Sequence, residues 1–274
     1  MKKFAAILLT LALLLSLGAA SAEALTPVKV GATTSPHAEV LELIKDDMAA
    51  LGYDLQIVEF TDYNLPNDAL VNGEIDANYF QHMPFLNAYN ATVAEDKQLV
   101  AAIPVHYEPF GIYAGKCKSL EELQDGATIT ITNDPSNETR ALFLLKDAGL
   151  ITLPADATVE GSSLTVLDIV DNPKHLNILE VEANTLPSTL EDADLAVING
   201  NFALAAGLSP AEDAIFLEPT ESDSGKTYTN YVVIRQDSVD APWVEALRSC
   251  LQSEKVREYM LTNEKYAGGV IPVF

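Results

Sequence analysis

From Val28 onward the chain alternates strand-like and helix-like segments. That alternation restricts it to the α/β class with a mainly parallel sheet. Residues 28–32 read as a strand. Residues 38–51 carry apolar side chains at helical spacing (Val40, Leu41, Ile44, Met48, Leu51) and stop at Gly52. A strand at 55–60 and a short helix at 66–71 follow, then extended chain at 99–105 and 109–113 and a helical turn at 120–123. The pattern then restarts. Strands are expected at 127–132, 177–181 and 195–198, with helices at 138–148, 164–170, 187–190 and 202–206. Extended segments at 215–217 and 231–234 precede two final helices, 243–251 and 254–261. The residues alone show two α/β blocks without a fixed-period repeat, and the polar stretch 222–226 is the best linker.

Within the first block, the segment from Gly73 to Phe85 concentrates aromatic and polar residues. The spacing predicts a strand over 77–80 and a helix opened by Pro84, since proline is tolerated in a first helical turn. Tyr79, Phe80, Gln81 and His82 then fall on a strand-to-helix loop, where ligands bind in open α/β sheets. Rings beside an imidazole and an amide suit a half-apolar pocket. The same residues also suit a plainer arrangement, with Tyr79 and Phe80 in the core and His82 capping the helix.

Residues 1–22 have the form of a secretory leader: Lys2 and Lys3, an apolar run from Phe4 to Leu17 too short to span a bilayer comfortably, then Ala20-Ser21-Ala22. Cleavage is expected after Ala22, with Ala24 as the alternative. The formal net charge of −24 argues against nucleic-acid binding, which needs clustered Lys and Arg. Cys117 and Cys250 are the only cysteines, too few for a disulfide framework or a zinc site, so two free thiols are expected.

Several polar groups are candidates for chemistry. Residues 133–140 follow a strand and open a helix, whose unpaired N–H groups attract anions; Arg140 adds a fork suited to a carboxylate. An ordinary N-cap, with Arg140 paired to a surface acid, explains the same residues. Asn199-Gly200-Asn201 is either a ligand-binding amide pair or a turn. Asn230 lies between the two tyrosines of Thr229-Asn230-Tyr231 and Tyr228. His106 and Glu108 share one side of a strand and could hold a metal, but no metal or cofactor is expected. The nucleophile-elbow, P-loop, dinucleotide and zinc-helix signatures are missing.

Asn78-Tyr79-Phe80-Gln81-His82 closely resembles the signature of the NlpA family, methionine-binding lipoproteins that feed ABC importers. Residues 28–33, 36–39, 58–63, 133–138, 196–201 and 270–272 resemble the family's other motifs in order, over nearly the whole mature chain. The resemblance implies a two-lobed periplasmic-binding-protein-like fold of type II, with the ligand cleft between lobes and two crossover hinge segments. Residues 25–109 and 230–274 would form lobe 1 and residues 110–229 lobe 2, with crossings near 108–111 and 226–231. It implies a methionine site lined by Tyr63, Tyr79, Phe80, His82, Asn137, Arg140, Asn199, Asn201 and Asn230. A thioether gains from aromatic edges, while Arg140 and the asparagines suit the zwitterionic end. The function implied is capture rather than catalysis, by a monomer that delivers methionine to a membrane permease. A methionine-containing dipeptide, another apolar amino acid, or a secreted two-lobed enzyme are the alternatives. Family members usually carry a lipidated cysteine just after the leader. None stands there in this sequence, so the mature protein is expected to be exported without a lipid and held at the membrane through its transporter.

Overall fold

Strand-helix alternation distributes the chain over two sheets, each with its own apolar core. The computed structural model describes residues 24–159, 162–219 and 227–274. The leader with its cleavage site, and the polar stretch 222–226, lie outside the described residues. The strands are β1 (Thr26–Thr33), β2 (Tyr53–Phe60), β3 (Ala77–His82), β4 (Leu99–Tyr107), β5 (Gly111–Ala114), β6 (Thr128–Thr132), β7 (Asn177–Val181), β8 (Leu195–Ile198), β9 (Ala214–Leu217), β10 (Thr229–Arg235) and β11 (Ile271–Pro272).

The first sheet has the order β11-β4-β10-β3-β1-β2 and the second β7-β6-β8-β5-β9. β1 pairs in parallel with β2 and β3, and β6 with β7 and β8. Strands on either side of the crossings add antiparallel pairs, β10 with β3 and β4, and β5 with β8 and β9, and β11 adds another with β4, so both sheets are mixed and not mainly parallel as the alternation suggests. The chain passes from the first sheet to the second between Tyr107 and Gly111 and returns between Leu217 and Thr229. The result is a two-lobed α/β molecule of the periplasmic-binding-protein type.

The C-terminal helices Pro242–Leu251 and Glu254–Thr262 return to the first lobe. Their Leu247, Leu251, Val256 and Met260 pack with Val30, Val40, Ile44 and Met48. The second core gathers Ile129, Ile131, Leu142, Leu145, Leu195 and Val197. Cys250 belongs to the first core and Cys117 borders the second, and both are free thiols. Gly149 and Gly207, with φ of +73° and +81°, end their helices in the left-handed conformation that glycine adopts without cost.

Local expectations change as well. Tyr79, Phe80, Gln81 and His82 are not on a loop: β3 runs through His82, because β10 pairs with it as far as Asn230↔His82. The helix of 38–51 is two helices, Glu39–Leu43 and Lys45–Ala50, separated at Ile44 (φ −101°, ψ 3°). Residues 164–170 hold only a 3₁₀ turn, Val166–Asp168, capped reciprocally by Thr165 and Asp168. Residues 120–123 form a single turn, closed by the Leu123 N–H on the Leu120 carbonyl at 3.4 Å, and no longer helix. No helix among the described residues is long and apolar enough to cross a membrane.

Candidate ligand site between the lobes

β3 lies between β1 and β10 with all six residues buried. Side chains two apart on a strand share a face, so Phe80 and His82 turn together toward the second lobe. Tyr79 turns the other way, into the first core, where its hydroxyl bonds His106 Nδ1. The Phe85 backbone N–H donates to His82 Nδ1 at 3.3 Å, so His82 caps the helix Met83–Asn90. Its proton therefore resides on Nε2, which donates to Asn137 Oδ1 at 3.0 Å across the cleft. Cap and cavity wall are one residue. Burial, then the nearby Arg140 charge, lowers the His82 pKa to about 3, so the ring is neutral at physiological pH.

Asp134 is the N-cap of the helix Pro135–Asp147, accepting from the Asn137 backbone N–H at 3.0 Å. One turn later Arg140 reaches the cleft. Its partner is an acid, but a buried one: Arg140 Nε donates to Glu218 Oε1 at 3.2 Å, and Nη2 bonds Glu218 Oε2. Nη2 also donates to the Glu108 backbone carbonyl at 2.8 Å. The Tyr228 ring lies 4.1 Å from the guanidinium carbon. Burial alone would raise the Glu218 carboxyl, but Arg140, the Tyr107 hydroxyl and the Phe110 N–H together outweigh it and hold it below its ordinary range.

Asn199 and Asn201 flank Gly200 just after β8. The Tyr63 hydroxyl donates to Asn201 Oδ1. The Tyr63 ring packs on Phe202 at 4.8 Å, with Phe85 at 5.7 Å and Phe80 at 5.8 Å. Asn199 Oδ1 is buried without a hydrogen-bond partner among the described residues. Asn230, from β10, accepts from His37 Nε2 at 3.0 Å.

Of the nine residues expected at the site, all but Tyr79 line one cavity. Its aromatic end is built by Tyr63, Phe80 and Phe85, and its polar end by Arg140, Glu108 and the asparagines. The sequence reading missed Phe85, whose only signal is its place three residues after His82. It assigned Glu108 to a possible metal site instead. A wider, more open groove runs outside this cavity between the helices Met83–Asn90 and Pro135–Asp147, with none of the paired charges.

Folding brings His37 to the His106 and Glu108 pair. His106 Nε2 is 2.6 Å and His37 Nε2 3.4 Å from Glu108 Oε1. Thr33 Oγ1 lies 2.7 Å from His37 Nδ1. Each Nε2 faces carboxylate or amide oxygens, so each ring carries its proton there and accepts a hydroxyl at Nδ1. Burial lowers His37 to about 4 and His106 to about 3, so both are neutral. The three donor atoms lie within 4.8 Å of one another, a set able to hold a metal ion. Both Nε2 atoms already have hydrogen-bond partners, His106 in Glu108 and His37 in Asn230.

The NlpA lipoprotein family profile matches residues 28–274. The chain belongs to the NlpA lipoprotein family. Among its relatives, the D-methionine-binding lipoprotein MetQ of Escherichia coli (strain K12) is 42% identical over 249 residues, 89% of this chain and 87% of the relative. A nutrient-binding protein of Burkholderia cenocepacia, solved bound to methionine, superposes with a TM-score of 0.83 at 41% identity, covering 90% of this chain and all of that one. An ABC-transporter periplasmic substrate-binding protein of Coxiella burnetii superposes with a TM-score of 0.80 at 38% identity, over 89% and 99% of the two chains. Each of these matches covers about nine-tenths of the chain, and so takes in both of its sheets.

Proposed function

We propose that this protein is the extracytoplasmic substrate-binding component of an ABC importer, that its ligand is methionine, and that it acts by capture without catalysis. The observation that carries the reading is the division of one closed cavity into an aromatic wall and a charged, amide-lined end. A thioether is polarizable and gains from ring edges, and the Tyr63, Phe80 and Phe85 rings supply them. Arg140 uses Nε and Nη2 for Glu218 and the Glu108 carbonyl; its Nη1 makes no hydrogen bond among the described residues and is the group offered to the ligand carboxylate. His82, Asn137, Asn199, Asn201 and Asn230 complete the polar wall, while Tyr79 acts behind it by fixing His106.

Residues 25–109 with 230–274, and residues 110–229, are the moving bodies in this reading. Binding shifts the population toward closure because the ligand contacts both. Bonds across the cleft, His82 to Asn137 and Tyr63 to Asn201, belong to the closed state. The closed monomer is then what the membrane permease receives. Titration calorimetry of unfolded-and-refolded protein with methionine tests the proposal. One site per chain is expected, with methionine recovered unchanged; no heat of binding, or a converted product, refutes it.

A further inference from the structure

Folding assembles a second group of ligating side chains behind the cavity, in the first lobe. His37 lies in the turn after β1, His106 near the end of β4, and Glu108 on the first passage between the sheets. All three are buried, at 1%, 0% and 6% exposure. One donor atom from each lies within 4.8 Å of the other two. His37 Nε2 is 3.4 Å and His106 Nε2 2.6 Å from Glu108 Oε1. Asn230, on β10 just after the second passage, places its Oδ1 3.0 Å from His37 Nε2. Two imidazole nitrogens, a carboxylate and an amide oxygen thus converge from both passages and from the end of β1.

Ligands about 2 Å from a tetrahedral zinc ion stand about 3.3 Å from one another. The His37–Glu108 and His37–Asn230 separations already have that size. The His106–Glu108 contact is a hydrogen bond and must open by roughly 0.7 Å to admit an ion. The layer behind the rings suits the same use. Thr33 Oγ1 lies 2.7 Å from His37 Nδ1, and the Tyr79 hydroxyl bonds His106 Nδ1. A metal-bound imidazole ordinarily donates its second N–H to an oxygen, which fixes its tautomer and its ring plane. An ion at the two Nε2 atoms moves each ring proton to Nδ1, and each hydroxyl turns to accept it. Both rings therefore keep a partner with or without the ion. Glu108 supplies negative charge against that of a dication, without which a buried ion is costly.

We propose that His37, His106 and Glu108 form a binding site for a divalent transition-metal ion of the zinc type, with Asn230 Oδ1 beside the fourth position. Two imidazoles with one carboxylate are a zinc donor set, whereas magnesium and calcium take oxygen ligands. Glu108 and Asn230 also wall the cavity between the lobes, so the ion enters through the open cleft. His37 and His106 do not line that cavity, and the site stands whether or not methionine is the ligand there. An ion held in it joins both passages between the sheets to the end of β1.

Calorimetry on the full chain, stripped with a chelator and then freed of it, tests the site with zinc and with magnesium. One equivalent of zinc per chain is expected, and no binding of magnesium. Cobalt in place of zinc should show the visible absorption of a four-coordinate ion. His37→Gln and His106→Gln should each weaken zinc binding at least about 100-fold. Thr33→Val removes only the hydroxyl behind His37 and should weaken it roughly tenfold. His175→Ala removes the exposed imidazole beside Asp125 and should leave zinc binding unchanged. If the variants at His37 and His106 do not fold, NMR of the wild-type chain decides: zinc should shift the ring signals of His37 and His106 and not that of His175. No uptake of zinc, uptake abolished by His175→Ala, or ring shifts confined to His175 overturns the proposal. Each of these results leaves the methionine reading of the cavity standing.

Discussion

Arg140 is ion-paired inside the protein: its Nε donates to Glu218 Oε1 at 3.2 Å, and its Nη2 grips the second carboxylate oxygen. Glu218 is further held by the Tyr107 hydroxyl at 2.5 Å and the Phe110 N–H at 3.2 Å. The guanidinium is thus aimed before any ligand arrives, and its removal has two consequences. Arg140→Ala strips the ligand carboxylate of its partner, at about 2–4 kcal/mol of binding. It also leaves Glu218 buried and unpaired, at about 3–5 kcal/mol of stability. Calorimetry and urea unfolding separate the two. Loss of affinity at unchanged stability would mean that Glu218 finds another partner.

Tyr63 joins the lobes twice, through its hydroxyl to Asn201 and through its ring to Phe202. Tyr63→Phe keeps the ring and should cost on the order of 1 kcal/mol, about fivefold in Kd. Tyr63→Ala also removes the aromatic wall and should cost at least about 3 kcal/mol, more than 100-fold. Equal effects of the two variants in calorimetry would show that the ring contributes nothing to binding.

The four histidines should divide three to one in an NMR titration. His37, His82 and His106 are held neutral by burial, with pKa values near 4, 3 and 3, so their ring signals should not move between pH 8 and about pH 5. His175 is exposed and bonded to Asp125 at 2.8 Å, which raises it above its ordinary value, and it alone should titrate there. A second ring titrating above pH 6 would mean that one of the buried imidazoles is charged.

Local pattern carried most of the fold. Apolar periodicity and the glycine stops place the strands and helices of both blocks, because these signals lie within a few residues. It failed where the deciding contact is distant. β3 extends to His82 because β10, some 150 residues later, pairs with it. The helical spacing of 164–170 misled because Leu167 and Val170 stay exposed, at 90% and 67%, with nothing to pack on. At the site, the clustering of Tyr79, Phe80, Gln81 and His82 was legible, but the face shared by Phe80 and His82 was not, because it needs the strand to run through His82. The pairing of Arg140 with Glu218, 78 positions on, leaves no local trace. The joining of His37 to His106 and Glu108 is likewise a product of folding. Both readings of His82, cap and wall, hold together, a result that a single-role assignment would have missed.

The most direct test is the mass of the small molecule released when protein purified from its host is unfolded. One equivalent of methionine per chain is expected, unmodified and with its amine free. A different molecule, an N-blocked methionine, or protein that carries nothing and takes up no methionine when it is added, would contradict the assignment of the cavity.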